Sequence, residues 1–312
     1  MPHRWSRSFY RFTVFLSLFG MIALLSCSGR QTSPGTAPNT TFVQANTQFD
    51  DGFGYSIALS TDGGTLAVGA TGESSLATGI DGNQKDNSAE SAGAVYLFTR
   101  STVGQAQQAY VKASNTEPYD FFGQAIALSA DGNTLAVGAP GESSFATGID
   151  GNQKDNSVPG AGAVYLFVRN NAGWLQQAYV KASNPGSRDD FGLSVALSAD
   201  GSTLAVGAPG ESSLATGIDG NQKDNSAESA GAVYLFTRST VGWIQQAYVK
   251  PSTTESHNFF GRSVALSADG ATLVVGAPGE SSLATGINGN QADNSAPGAG
   301  AVYLFTHSTG GW

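Results

Sequence analysis

The chain has 312 residues, of which 40% are hydrophobic and 12% are charged, and it contains 41 glycines. This composition supports a large core and favours many short strands joined by tight turns over long, solvated helices. From Gln31 onward, 11 basic residues stand against 24 acidic ones. A surface with this charge repels nucleic acid, so no nucleic-acid partner is expected, whereas a cation is compatible with it.

The first 26 residues have the pattern of an export signal. Arg4, Arg7 and Arg11 precede a mostly apolar run over residues 12–25, which is too short to span a bilayer as a helix. The run ends in Leu24-Leu25-Ser26-Cys27, which resembles the lipobox of bacterial lipoproteins. The resemblance implies cleavage before Cys27 and lipidation of this cysteine. The alternative is a plain secretory signal in which the cysteine occurs by chance.

The residues after Cys27 predict how the protein is attached. Residues 27–40 are rich in Ser, Thr, Gly, Pro and Asn, which is typical of a flexible tether. Ser28 stands where a signal for inner-membrane retention often has Asp. By this analogy we expect an exported protein that is anchored to the outer membrane, with the lipid as its only membrane contact.

A repeat of 69 residues organises the chain from residue 41 to residue 312. Phe-Gly and Gly-Ala-Val both recur four times with this constant step. The Phe-Gly pairs begin at Phe53, Phe122, Phe191 and Phe260, and the Gly-Ala-Val triplets begin at Gly93, Gly162, Gly231 and Gly300. Residues 74–104 and 212–242 are identical, which indicates recent duplication.

Each repeat predicts four strands. In the third repeat, residues 193–198 and 203–208 flank an Asp-Gly turn signal, and residues 231–237 and 243–250 form two further strand patterns. Gln and Lys in the last segment predict a more exposed strand. The fold class is therefore all-β, as a β-propeller of four four-stranded antiparallel blades; the main alternative is an open β-solenoid.

The N-terminal stretch of the repeat region predicts how the propeller closes. Residues 41–47 lie one period before residues 110–116, which belong to a fourth strand and its exit. We expect residues 42–46 to pair with residues 301–305, so that an N-terminal strand completes the last blade and closes the ring.

The Phe-Gly pairs and the Gly-Ala-Pro triplets at residues 138–140, 207–209 and 276–278 resemble the FG-GAP repeat of integrin α-subunit propellers and their bacterial relatives. The first repeat departs from this pattern with Gly69-Ala70-Thr71. The resemblance implies a propeller with a recognition or adhesion role. The acidic calcium loop of that family does not carry over, because the hairpin between the first two strands keeps one aspartate in each repeat: Asp62, Asp131, Asp200 or Asp269.

A second acidic segment predicts weak calcium binding. The insertion between the second and third strands carries Asp and Asn side chains around a glycine, and oxygen ligands suit calcium. The predicted ligands in the first three repeats are Asp81, Asn83, Asp86, Asp150, Asn152, Asp155, Asp219, Asn221 and Asp224. The fourth repeat keeps a single carboxylate, Asp293, and is expected to bind less or nothing. The alternative is that these residues form turns by bonding to their own backbone.

The sequence contains no pattern that predicts catalysis. Neither His257 nor His307 stands in a nucleophile, acid–base or open metal motif, so an enzyme is not expected. We expect a monomeric, cell-envelope or surface-anchored binding or adhesion module that recognises a protein or glycan through propeller loops. The alternatives are a structural envelope scaffold without a specific ligand and, with less support, a propeller hydrolase or lyase.

Overall fold

The computed structural model describes residues 41–43, 48–101 and 104–312, which hold fifteen β-strands and no helix. All of the strands belong to the unit Val43–Trp312. The predicted export signal, Cys27 and the tether lie outside the described residues. The described residues contain no helix with the length and apolar character needed to cross a membrane.

The strands form four antiparallel sheets in which strands adjacent in sequence are adjacent in space. Sheet one contains β1 (Phe53–Leu59), β2 (Thr65–Ala70), β3 (Ala94–Ser101) and β4 (Gly104–Val111). Sheet two contains β5 (Ala125–Leu128), β6 (Thr134–Ala139), β7 (Ala163–Asn170) and β8 (Gly173–Val180). Sheet three contains β9 (Ser194–Leu197), β10 (Thr203–Ala208), β11 (Ala232–Ser239) and β12 (Gly242–Val249). Sheet four contains β13 (Ser263–Leu266), β14 (Thr272–Ala277) and β15 (Ala301–Thr306).

The hairpin between the first two strands of each sheet is closed by its single aspartate. In sheet one, the Ser60 hydroxyl and the Gly64 N–H both donate to Oδ1 of Asp62, at 2.6 and 2.8 Å. These hydrogen bonds, that from Ser60 first, lower the pKa of Asp62. The same side chain–backbone turn recurs at Asp131, Asp200 and Asp269. The aspartates therefore serve as turn residues in all four sheets.

The hydrophobic core lies between successive sheets. The forward face of a sheet, represented in sheet one by Val95 and Leu97, packs on the rear face of the next, represented by Ile126 and Leu128. Equivalent clusters join sheets two and three and sheets three and four. The all-β repeat architecture is confirmed. Small residues on the second strand of each sheet, such as Gly69 and Gly138, allow the sheets to stack closely.

The predicted closure of the ring is not found in the described part of the chain. Sheet four has three strands, and its forward-face side chains Val302 and Leu304 are 73% and 65% exposed. On the rear face of sheet one, Ile57 is 70% exposed. No sheet covers either face, so the described sheets form an open series. Residues 44–47, which carry most of the predicted closing strand, lie outside the described residues.

Candidate functional site

Long segments from all repeats gather at one end of the sheets. They are the insertions between the second and third strands, residues 71–93, 140–162, 209–231 and 278–300, and the connections between sheets, residues 112–124, 181–193 and 250–262. They share this end because the third strand of each sheet runs antiparallel to its neighbours. We call the surface that these segments form the insertion face.

A buried ion pair anchors each of the first three insertions. In sheet two, Nζ of Lys181 lies 2.6 Å from Oε2 of Glu142, and the two side chains are 0% and 1% exposed. The Tyr179 hydroxyl also donates to Glu142 Oε1, at 2.7 Å. Burial lowers the pKa of Lys181, and the negative charge of Glu142 opposes this shift. The pairs Lys112–Glu73 and Lys250–Glu211 repeat the arrangement at 2.8 Å.

These ion pairs correct one prediction and add to another. The lysine was predicted to lie on an exposed strand, but it lies under the insertion. There its ammonium group meets the glutamate of a Gly-Glu-Ser-Ser segment, residues 141–144 in the second repeat. The pairing of the two charges was not predicted from the sequence. The available signal was the constant separation of 39 residues between this glutamate and this lysine in three repeats.

The predicted calcium ligand Asp86 is a hydrogen-bond acceptor for the insertion itself. Its Oδ2 accepts the Leu76 N–H at 2.9 Å, and its Oδ1 accepts the Ser88 N–H at 3.2 Å. These bonds, that from Leu76 first, lower the pKa of Asp86. Asp155, Asp224 and Asp293 make the corresponding bonds in the other repeats.

The other predicted ligands accept hydrogen bonds from different parts of the backbone. Oδ1 of Asp81 accepts the Tyr110 N–H at 2.8 Å, and Oδ1 of Asn83 accepts the Lys85 N–H at 3.1 Å. Asp150 and Asp219 repeat the first bond, and Asn152 and Asn221 repeat the second. Asp81 thereby holds the insertion against β4.

The oxygens of the predicted calcium ligands are engaged with the backbone of the insertions. Each carboxylate or amide oxygen named above already accepts a backbone N–H, so coordination would compete with bonds that hold the loop. Among the described residues, no group of three or more His, Cys, Asp or Glu side chains is placed to hold a metal ion. Calcium binding stays a prediction, and the geometry favours the alternative of turns.

Exposed apolar side chains stand in a repeating position on the insertion face. Their backbone N–H groups are those bound by the Asp86-type carboxylates, so each side chain projects from a fixed loop. The exposed residues are Leu76, Phe145, Leu214 and Leu283.

A pair of exposed aromatic residues lies on the connection between sheets one and two. Tyr119 and Phe121 have positive φ angles of 66° and 55°, and their ring centroids are 6.5 Å apart. Positive φ is unfavourable for bulky side chains and persists where the surroundings fix it. Here the Tyr119 N–H donates to Glu90 O at 2.8 Å and the Phe121 N–H to Ser91 O at 3.1 Å, which ties the connection to the preceding insertion.

A buried aspartate lies between the two exposed aromatic residues. Asp120 is 3% exposed and accepts the Glu117 N–H at 2.9 Å. Burial raises the pKa of Asp120 to about 8. In the next connection, burial raises the pKa of the equivalent Asp189 to about 7.

Comparison with known proteins identifies the repeat. Residues 106–167, 174–236 and 243–305 match the FG-GAP repeat family, and together they make up more than half of the chain. The chain belongs to the FG-GAP repeat family. No curated protein sequence matches it.

The similar solved structures are distant from this chain in sequence. Hydrazine synthase of Kuenenia stuttgartiensis is 17% identical, with a TM-score of 0.37 over 76% of this chain and 45% of that one. Sqt1 of Saccharomyces cerevisiae is 9% identical, with a TM-score of 0.35 over 73% and 43%. Sqt1 of Chaetomium thermophilum is 16% identical, with a TM-score of 0.37 over 74% and 43%. The chain spans less than half the length of each of these structures.

The FG-GAP residues themselves form the junctions between sheets. A Cβ atom on Gly138 of the Gly-Ala-Pro triplet would lie 1.9 Å from the carbonyl oxygen of Gly192 in the next Phe-Gly pair. Phe191, which precedes that glycine, is fully buried against Tyr234 and Phe236 of its own sheet. The motif is therefore structural, and the exposed residues of the insertion face lie outside it.

Proposed function

We propose that the insertion face binds a protein or glycan ligand and that the chain acts as a binding or adhesion module of the cell envelope. The observation that carries the proposal is the exposed pair Tyr119 and Phe121, held on a hydrogen-bonded and strained connection. Rigid aromatic side chains contribute contact area with little loss of conformational freedom on binding, which is why they dominate many interfaces.

Differences between the repeats support a recognition role for the connections. Residues 74–104 and 212–242 are identical, but the segment Tyr119-Asp120-Phe121 becomes Arg188-Asp189-Asp190 and His257-Asn258-Phe259 in the later connections. The residues of these segments with positive φ are the first and third, so the backbone is kept while the presented side chains change. Each connection would then contact a different part of an extended ligand.

We propose a non-catalytic role for this face. Its histidine, His257, is largely exposed, and Nε2 lies 4.0 Å from Oε2 of the exposed Glu228. The repeating apolar positions suit an extended contact surface, and one ligand that touches several repeats gains affinity from their fixed spacing.

Binding is tested with the full chain on glycan and protein arrays, followed by titration of any hit. We expect the double variant Tyr119→Ser, Phe121→Ser to weaken binding by about tenfold or more, as is usual for aromatic anchors. The matched control is Val241→Ser, which removes an 89% exposed apolar side chain from the hairpin at the opposite end of sheet three. No ligand, or equal losses in both variants, would favour the structural scaffold, and turnover of a hit would favour a hydrolase or lyase.

Attachment through Cys27 and a tether over residues 27–40 completes the proposal. The several acyl chains of a bacterial lipoprotein give stable anchoring, whereas a single chain gives weak binding. Mass spectrometry of the native protein should find a mature chain that begins at Cys27 and carries added lipid mass. A different first residue without lipid would contradict the anchor without affecting the binding proposal.

A further inference from the structure

A cavity of about 410 Å³ opens on sheet four, next to its exposed forward face. Its wall includes Ser263, Gly276, Ala277, Gly300, Ala301 and Val302, which come from all three strands of the sheet and the residue before β15. The cavity thus lies where the Gly-Ala-Pro and Gly-Ala-Val segments of the fourth repeat meet.

The same place in the other sheets is filled by the Phe-Gly segment of the following repeat. A Cβ atom on Gly69 or Gly207 would lie 2.4 or 2.0 Å from the carbonyl oxygen of the next Phe-Gly glycine. In the first junction, the Ser56 hydroxyl donates to the Gly123 carbonyl at 2.6 Å. On Gly276, the added atom would approach only Ser263 of the same sheet. The cavity is therefore the position that the Phe-Gly segment of the following repeat occupies in the other sheets, and in sheet four no described segment fills it.

The apolar surface around the cavity has the composition of an interface. Val302 and Leu304 are 73% and 65% exposed, whereas their equivalents in the first three sheets are fully buried under the next sheet. Those equivalents are Val95 and Leu97, Val164 and Leu166, and Val233 and Leu235. The exposed forward face of sheet four thus continues the series of three established sheet–sheet interfaces.

The matching surface is the rear face of sheet one. Ile57 and Leu59 of β1 are 70% and 62% exposed, and they occupy the positions by which Ile126 and Leu128 pack on the preceding sheet. The Phe53-Gly54 pair lies beside them, at the start of the same strand. The described part of the chain thus carries both halves of one more junction and leaves both exposed.

We propose that these two surfaces join two copies of the chain head to tail. The Phe53-Gly54 segment of one copy enters the cavity of the other, and Ile57 and Leu59 cover Val302 and Leu304. The Ser263 hydroxyl then bonds to the Gly54 carbonyl, as Ser56 and Ser194 bond to the carbonyls of Gly123 and Gly261. Two copies with both junctions made give eight sheets, within the range of four to eight blades common in closed propellers. This dimer is an alternative to the monomer expected from the sequence.

Sedimentation analysis of the full chain at micromolar concentration tests the proposal. We expect a dimer for the unaltered chain and loss of the dimer in both Ile57→Asp and Val302→Asp. Each variant damages a different surface, so an equimolar mixture keeps one intact junction and should again contain dimers. Val241→Asp, which places the same charge at an exposed site far from both surfaces, should remain a dimer.

Closure of each chain on itself would give a different pattern. The unaltered chain would then be a monomer, both Asp variants would melt at lower temperature, and the mixture would also stay monomeric. A monomeric unaltered chain overturns the proposal, as does a dimer that survives both substitutions. Circular dichroism of each variant establishes that it is folded. Dimers in the mixture would also show that the Ile57→Asp and Val302→Asp chains are folded.

Discussion

Replacing Lys181 by methionine leaves the carboxylate of Glu142 buried without its cation. The two groups lie 2.6 Å apart and are almost completely inaccessible to solvent. The Tyr179 hydroxyl, the Asn115 side-chain amide and the Ser144 N–H would remain as neutral donors, at 2.7, 3.2 and 3.2 Å. Removing one partner of a buried ion pair typically costs about 3–5 kcal/mol because the other charge stays desolvated. We expect a loss of this size in the free energy of unfolding.

The double variant Lys181→Met, Glu142→Gln separates the cost of an isolated charge from the value of the pair. A neutral glutamine still accepts a hydrogen bond from Tyr179, so the double variant should be less destabilised than the single one by about 2 kcal/mol or more. Lys154→Met is the matched control, because Lys154 is an exposed lysine on the insertion of the same repeat. Its effect should stay within about 0.5 kcal/mol.

Urea titration of the full chains measures these differences, and an unchanged slope against urea indicates that the unfolding reaction itself is unchanged. A loss below about 1 kcal/mol for Lys181→Met would refute the reasoning, since it would mean that the carboxylate is solvated or protonated at little cost. Equal losses in the single and double variants would mean that the isolated charge of Glu142 is not the cause of the loss.

The remaining predictions concern pH, a junction glycine and calcium. Burial raises the pKa of Asp120 in the folded chain to about 8, so the contribution of Asp120 to the free energy of unfolding falls as pH rises from 3.8, its unfolded value, toward 8. Asp120→Asn should remove this loss and stabilise the chain by several kcal/mol in unfolding experiments above about pH 8. Gly138→Ala should cost more than about 3 kcal/mol in urea titration because its Cβ meets a carbonyl, whereas Gly148→Ala, which has open space, should cost about 1 kcal/mol for its positive φ. If the insertions bind calcium, millimolar calcium should give heat of binding and a higher melting temperature, and if they are turns it should give neither. Removal of three carboxylates should lower the melting temperature in the presence of chelator whether or not calcium binds, because hydrogen bonds to the backbone are lost. The three substitutions are Asp86→Ala, Asp155→Ala and Asp224→Ala.

The strands and hairpins could be predicted because their determinants are local. An Asp-Gly turn between two strand patterns specifies a hairpin wherever it occurs, and the constant repeat length fixes which strands belong together. Closure of the ring is different, since it depends on the angle between stacked sheets. The pattern of residues 42–46 predicted a strand but could not specify whether sheet one and sheet four meet.

The insertion face was harder to predict than the sheets. Lys250 appeared to be an exposed strand residue because its partner Glu211 lies 39 residues away in sequence, and only folding brings the two charges together. The Asp86-type carboxylates had two physically reasonable uses, and the nearby backbone N–H groups that decide between them are a property of the folded loop. The positive φ of Tyr119 has no signature in the sequence, because the constraint comes from the preceding insertion.

The location of the core between sheets determines how the protein gains its stability. Each cluster takes side chains from one repeat and from the next, so a single folded sheet would expose both of its apolar faces. Sheets two and three have two such neighbours within the chain, and sheets one and four have one. Folding therefore spreads from neighbour to neighbour. In a monomeric chain, such as the Ile57→Asp variant, the amide protons of the middle sheets should be the slowest to exchange with solvent. Stability in this architecture is a cooperative property of the number of repeats that are in contact.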